Sequence, residues 1–91
     1  MTTHNVCSNS PLKAKHGSTV TLENHTKKDI VVQQNGNPNT WPFSNKVSPF
    51  TITTTAGAED VVLNTTLGTY YYSTEGCPDD KKVNPKTVII T

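Results

Sequence analysis

The sequence lacks any apolar run close to the roughly 18 residues that a membrane-spanning helix needs, and its N-terminus lacks the charged and apolar blocks of a signal peptide. No membrane span is therefore expected, and we expect a soluble chain. Met1 stands directly before the polar residues Thr2, Thr3 and His4. We interpret it as an added start in place of a removed signal peptide, which predicts an extracytoplasmic protein, secreted or periplasmic. An authentic cytosolic start is the alternative.

The sequence also has little charge of either sign. Eight basic residues against seven acidic residues give a formal net charge of +1. The basic pairs Lys27 with Lys28 and Lys81 with Lys82 are short and lie beside acids. Because nucleic acids and anionic membranes recruit proteins through extended basic surfaces, neither is an expected partner.

Hydrophobic residues are scarce as well, at 32% of the 91 residues. A single domain of this size, residues 1–91, buries only about 60% of the surface of its unfolded chain, so its core is thin. Threonine, valine, asparagine and serine are abundant where leucine, alanine and glutamate would dominate a helical protein. The composition therefore predicts an all-β fold.

Short runs of β-branched and aromatic residues recur between turn residues, a pattern typical of an antiparallel sandwich or barrel. Val20 and Leu22 alternate with polar residues, and Phe50 and Ile52 alternate with threonines, so each run has one buried and one wet face. A long loop is expected at residues 34–49, and no helix. The predicted strands, about eight, cover residues 3–6, 12–15, 18–24, 29–34, 49–55, 59–63, 68–74 and 86–91.

The two cysteines, Cys7 and Cys77, lie near opposite ends of the chain and form no CxxC pair, a spacing that disfavours a tetrahedral zinc site. If they pair, they close a loop of about 70 residues, and the lost chain entropy stabilises the fold by at most about 4 kcal/mol. Pairing would also indicate an oxidising compartment. The alternative is a pair of buried free thiols in a cytosolic protein.

The motifs of common enzymes are missing. The histidines stand near different turns, so no set of nucleophile, base and orienting group can be assembled. No glycine-rich phosphate loop is present. We therefore expect no enzymatic activity.

Four segments in order resemble the cupredoxin family, the eight-stranded Greek-key β-sandwiches that include plastocyanin, azurin and the phytocyanins. The segments are "SPLKAKHGSTVTLEN", "DIVVQQ", "GTYYYST" and "KTVIIT". The first is similar to the family's strand, glycine turn and "TVTxxN" strand, and the third to its "GTYxYxC". The resemblance covers nearly the whole chain and implies a Greek-key β-sandwich of about eight strands.

The resemblance also assigns places to the ligands of a type 1 copper site, which are one thiolate, two imidazoles and a weak axial thioether. None of these places holds the required ligand, the only methionine is Met1, and no histidine follows His25. A cupredoxin-like domain that has lost its type 1 copper, with no cofactor, is therefore expected. The place of the first imidazole falls near Asp29, and that of the thiolate falls on Thr74. The place of the second imidazole falls near Cys77, and that of the thioether falls near Lys82.

The resemblance further implies that the loop after the first strand lies at the same end as the ligand loop, so that Cys7 reaches Cys77. Phytocyanins also pin this loop with a disulfide, although their partner cysteine lies elsewhere. A Cys7–Cys77 bridge would then supply the cross-link that copper supplies in relatives.

Two non-standard metal sites are alternatives. His25 and Asp29, with the acids Glu75, Asp79 and Asp80 of the facing loop, could hold Cu(II) or Zn(II), or they could simply be a solvated loop. If Met1 were removed, the amine and amides before His4, with its imidazole, would suit square-planar Cu(II) or Ni(II). Either site would make the chain a copper-binding protein for metal carriage or electron transfer.

Aromatic residues mark a possible interaction surface. Trp41, with Pro42 and Phe43, either closes one end of the sandwich or anchors a protein or glycan partner. Strand alternation sends Tyr71 to the face opposite its two tyrosine neighbours, which makes it the exposed ring. Copper-free relatives, the ephrin ectodomains and early-nodulin-like proteins, act through surface recognition. The resemblance thus implies a binding or structural module, a monomer or weak homo-oligomer.

Two triplets match the acceptor sequence for N-glycosylation, Asn24-His25-Thr26 and Asn64-Thr65-Thr66. They carry information only if the protein is secreted through a eukaryotic pathway. Such triplets also arise by chance in a chain this rich in threonine.

Overall fold

The computed structural model describes residues 2–36, 38–78, 80 and 85–91. Each predicted strand is present among these residues. The observed strand ends differ from the predicted ones by one or two residues at most, except for the strand predicted at 49–55, which ends at Ile52. No helix in this part of the chain is long and apolar enough to cross a bilayer. The strands are β1 (Thr2–Asn5), β2 (Leu12–Ala14), β3 (Thr19–Glu23), β4 (Ile30–Gln33), β5 (Phe50–Ile52), β6 (Ala58–Val62), β7 (Gly68–Glu75) and β8 (Lys86–Ile90).

The strands form two sheets in a sandwich-like arrangement. One has three strands in the order β1-β3-β6, and the other has five in the order β2-β8-β7-β4-β5. The β1–β3 and β2–β8 pairs are parallel, and the other pairs are antiparallel. The antiparallel prediction therefore needs correction: the chain leaves one sheet after β1, forms β2 in the other, and returns as β3, which allows parallel neighbours.

The core lies between the sheets and follows from the period of two along each strand. In β7, Tyr70, Tyr72 and Thr74 point inward and are buried, whereas Tyr71 is only half-buried. Strand β3 contributes its apolar residues to the same core from the opposite sheet. The side chains that the structure buries completely are Val6, Val20, Leu22, Ile30, Val32, Phe43, Ile52, Val61, Leu63, Tyr72 and Val88.

The long loop between β4 and β5 is more structured than predicted, because it contains a short 3₁₀ turn at Pro38–Thr40. Trp41 anchors the following segment through its indole N–H, which donates to the backbone oxygen of Lys46 at 2.9 Å. The ring of Trp41 meets those of Phe43 and Phe50 edge to face, with centroids 5.2 and 6.0 Å away. The loop therefore packs its own aromatic rings against the sandwich.

The same loop covers the outer edge of β6. The side-chain amide of Asn45 donates to the backbone oxygen of Asp60 at 3.1 Å, and its oxygen accepts from the Val62 N–H at 2.8 Å. The Ser44 N–H adds a bond to the Val62 oxygen at 2.8 Å. The Asn45 side chain thus bonds to the edge of the strand as a peptide group would.

Candidate functional site

Three segments meet at one end of the sandwich, which we call the disulfide end. They are the residues after β1, the β3–β4 loop at 24–29, and, following β7, residues 76–78 with Asp80. The third segment leaves β7 through Gly76, whose φ of +111° is unfavourable for other residues. A Cβ atom on Gly76 would lie 2.9 Å from the backbone oxygen of Asp29. Glycine therefore allows this segment to run directly against the start of β4.

The Cys7–Cys77 disulfide is present, which confirms the predicted pairing and excludes the alternative of two free thiols. The bonded sulfurs are 2.01 Å apart, and the Cα atoms are 5.5 Å apart. The backbone on both sides is held as well: the Cys7 N–H donates to Asn5 Oδ1 at 3.0 Å, and the Cys77 N–H donates to Asp80 Oδ2 at 2.8 Å. The disulfide therefore joins two cysteines that are 70 positions apart in the sequence.

The places that the cupredoxin resemblance assigns to copper ligands hold side chains with other partners. Thr74 is 4% exposed, and its hydroxyl donates to Oδ1 of Asp80. The sulfur of Cys77 is bonded in the disulfide. The Asp29 carboxylate accepts a hydrogen bond from the Thr54 N–H at 2.9 Å. The fourth place, Lys82, lies outside the described residues. A hydroxyl, a disulfide sulfur and one engaged carboxylate do not fit a type 1 copper ion, which requires a thiolate and two imidazoles.

In the structure, His25 and Asp29 are bonded to different partners. Nε2 of the exposed His25 lies 3.2 Å from Oε1 of Glu23, whereas Asp29 bonds to the β5–β6 turn. Of the facing acids, Asp80 accepts the two bonds given above, Glu75 is exposed, and Asp79 lies outside the described residues. Among the residues that the structure describes, no three His, Cys, Asp or Glu side chains are grouped to hold a metal ion.

The candidate N-terminal metal ligand, His4, lies within β1 and pairs with Leu22 of β3. Thr2 and Thr3 pair with the same strand, so wrapping their amides around a square-planar ion would dismantle β1. Met1, whose removal that site requires, lies outside the described residues. His4 itself is half-buried, and this burial lowers the pKa of its imidazole from the ordinary value of 6.5.

The lowered pKa of His4 predicts acid sensitivity. The unfolded chain binds this proton more tightly than the folded protein, so we expect the free energy of unfolding to fall as the pH drops below about 6.5. A His4→Gln variant should show a shallower decline in urea unfolding measured at a series of pH values. His16→Gln, at an exposed turn, is the matched control, and an equal change there would contradict the assignment to His4.

An open groove of about 560 Å³ lies beside the disulfide. One wall is formed by residues 25–28 of the β3–β4 loop, and the other by residues 76–78 after β7. Sequence reasoning missed this groove, because its two walls come from segments far apart in the chain. The lining residues are His25, Thr26, Lys27, Lys28, Gly76, Cys77 and Pro78.

Comparisons with known proteins give no match, neither to a family model nor significantly to a curated protein or a solved structure. Function must therefore be inferred from the site itself. The groove and the disulfide beside it are the features from which a function can be argued.

The groove wall at 25–28 is held by Asn24, which is 8% exposed. Its amide nitrogen donates to the backbone oxygens of Lys28 and Ile52 at 2.8 and 2.9 Å. Its oxygen accepts from the N–H and hydroxyl of Thr26 at 2.9 and 2.7 Å. The nitrogen to which a glycan would attach is thus buried and bonded in the fold. The Asn64 amide is similarly engaged with the Trp41 oxygen at 2.7 Å.

The aromatic residues singled out from the sequence occupy different environments. Phe43 is completely buried between Trp41, Phe50 and Tyr72, so this ring belongs to the core and cannot serve as an exposed anchor. Trp41 is half-buried over the same cluster. Tyr71 faces outward from β7, as strand alternation predicted, and is half-buried. Neither Trp41 nor Tyr71 lines the groove.

Proposed function

We propose that this chain is an extracytoplasmic, cupredoxin-like Greek-key domain without a type 1 copper site, and that it acts as a non-catalytic binding module. Eight strands in two sheets support the fold assignment, with the chain passing between the sheets after β1, β2, β3, β5 and β6. The inward tyrosines of β7 occupy the places where the resemblance puts core residues. A fold alone does not define a function, so the site carries the rest of the proposal.

The observation that carries the proposal is the Cys7–Cys77 disulfide, at the end of the sandwich to which the cupredoxin resemblance would assign copper. The disulfide joins the segment after β7 to the loop after β1, and the Asp80 carboxylate ties Cys77 to Thr74. These bonds hold Thr74, Cys77 and Asp80 in place without a metal. Residues held without a metal leave their surface available for recognition of another molecule.

The disulfide also supports the proposed compartment. Disulfides form and persist in secreted and periplasmic proteins and are rare in the reducing cytosol. A protein this small has a thin core, and cross-links are a common means of stabilising such domains outside the cytosol. The partner is a protein or a glycan, bound by a monomer or a weak homo-oligomer.

Non-catalytic action is supported by where the histidines lie. His16 and His25 flank opposite ends of β3, and His4 lies within β1. His16 bonds to the backbone oxygen of Thr91 and His25 to the carboxylate of Glu23, so neither bond joins an imidazole to a hydroxyl or thiol nucleophile. A catalytic pair would need such a side chain within hydrogen-bonding distance of a nucleophile.

A copper titration tests the proposal. Adding Cu(II) to the oxidised protein should produce no intense thiolate-to-copper charge-transfer band in the visible spectrum, because no thiolate is available. The appearance of that band would refute it. A weak ligand-field band alone would favour the alternative, a copper-binding protein with a non-standard site. Loss of that band in His4→Gln or His25→Gln, but not in His16→Gln, would locate the site.

A further inference from the structure

The groove at the disulfide end carries positive charge on one wall. Lys27 and Lys28 are exposed, and His25 lies beside them. None of the described residues that line the groove carries an acidic side chain. In the part of the chain that the structure describes, the ammonium groups of Lys27 and Lys28 have no hydrogen-bonding or ion-pair partner.

Among the described residues, the acids nearest to the groove contact other groups, and Asp79, which follows Pro78 in the sequence, lies outside them. The Glu23 carboxylate contacts His25, and the Asp29 carboxylate bonds to the β5–β6 turn. The Asp80 carboxylate is held by Thr74 and Cys77. Glu75 is exposed at the end of β7, on the outward face of that strand. None of these four acids is bonded to Lys27 or Lys28, so within the described part of the chain both ammonium groups can interact with a ligand.

Both walls of the groove are held before any ligand arrives. Asn24 fixes the lysine wall through its four hydrogen bonds. The disulfide at Cys77 and the close approach of Gly76 to Asp29 fix the opposite wall. A site that is already ordered loses less conformational entropy on binding, which favours affinity.

We propose that this groove binds an acidic segment of a partner protein. The inference rests on the proposed role as a binding module and names the chemistry of its partner. Carboxylates of an extended peptide would pair with Lys27 and Lys28, while its aliphatic carbons contact Pro78 and the apolar surface of Cys77. Such charge complementarity provides specificity and speeds association.

A peptide fits this groove better than a sugar does. Sugar rings commonly stack on aromatic side chains, and none of the seven described lining residues is aromatic. The half-buried rings of Trp41 and Tyr71 lie outside the groove. A sulfated glycan would in addition require a longer basic surface than the pair of lysines among the described lining residues.

Fluorescence anisotropy tests the proposal with a labelled peptide of alternating glutamate and glycine and with its glutamine counterpart. We expect the intact oxidised protein to bind the glutamate peptide, and this binding to weaken as salt is added, because salt screens exposed charges. The glutamine peptide should bind at least about tenfold more weakly. Equal binding of the two peptides, or no binding of either, would refute the proposal.

Charge-reversal variants locate the binding. Lys27→Glu with Lys28→Glu changes the formal net charge from +1 to −3, since each substitution subtracts two. Lys13→Glu with Lys15→Glu makes the same change at exposed positions in and just after β2. The first pair should weaken binding by at least about tenfold, and the second by less than about threefold. Thermal unfolding of both variants checks that they remain folded.

Two further outcomes decide against the proposal. Equal losses in the two charge-reversed variants would show attraction by net charge and no defined site. Binding of a heparin-derived oligosaccharide without binding of the glutamate peptide would identify a glycan site. Both outcomes are independent of the copper titration, so a failure here leaves the copper-free binding module intact.

Discussion

Removing the disulfide, by Cys7→Ser together with Cys77→Ser, is expected to lower the free energy of unfolding by about 4 kcal/mol. The bridge spans a sequence separation of 70, so without it the unfolded chain gains the conformations that a long closed loop forbids. For a domain of this size, that loss corresponds to a fall in Tm of about 20 °C. Urea unfolding of the oxidised protein and of the double variant measures the difference.

The wild-type protein under reducing conditions is the matched control, because it loses the bond without losing either sulfur. The two losses should agree to within about 1 kcal/mol if the cross-link itself is responsible. A double variant that unfolds at nearly the same urea concentration as the oxidised wild type would contradict the prediction. It would mean that the ends of the chain are held by the sheets alone.

Replacing Tyr72 with alanine is expected to cost about 4 kcal/mol, comparable to the disulfide. The ring is fully buried and packs against Phe43, with the centroids 5.6 Å apart. Its hydroxyl donates to the backbone oxygen of Val6 at 3.1 Å, next to the disulfide. Truncation thus leaves a cavity in a thin core and an unbonded carbonyl. Thermal and urea unfolding measure the loss.

Tyr72→Phe separates the two contributions, because it keeps the ring and removes only the hydroxyl. We expect it to cost about 1–2 kcal/mol. Burial also raises the pKa of Tyr72 above the ordinary value of 10.0, so the folded protein holds this proton more tightly than the unfolded chain. Stability should therefore decline as the pH rises above about 10, and less so in Tyr72→Phe. Equal costs for alanine and phenylalanine would contradict this account of the packing.

The strands could be predicted from the sequence because alternation encodes them directly. In β7, the burial of Tyr70 and Tyr72 and the outward position of Tyr71 follow from the period of two. Strand ends are less well encoded. Strand β5 stops at Ile52 because Thr53 begins a turn, in which its backbone oxygen accepts from the Gly57 N–H at 2.9 Å. From the sequence alone, a run of threonines is equally compatible with a strand and with a turn.

Burial within loops could not be predicted, because a loop has no period. Phe43 was expected at a possible interaction surface, yet it fills the space between the sheets beside Tyr72. Its place depends on the path of the whole segment between β4 and β5. The ring contacts of Trp41 hold that path, and its contact with Phe50 exists only once β5 is in place.

The disulfide could be predicted, whereas the groove beside it could not. The position of Cys7 followed from the resemblance, which put two loops at one end of the sandwich. The groove also depends on β4 and β7 being neighbours, which brings residues 25–28 against residues 76–78. Its only signals in the sequence were the adjacent Lys27 and Lys28 and the glycine before Cys77. Neither the lysine pair nor the glycine predicts a groove by itself.

The bonds that Asn45 makes to β6 have a consequence for how copies of this chain meet at high concentration. An outer strand with free N–H and C=O groups is a template on which another chain can add a strand and begin to aggregate. At Asp60 and Val62 those groups are already bonded to a side chain. A second molecule would have to break both of these hydrogen bonds before it could add a strand to this edge. Asn45 therefore opposes polymerisation through β6.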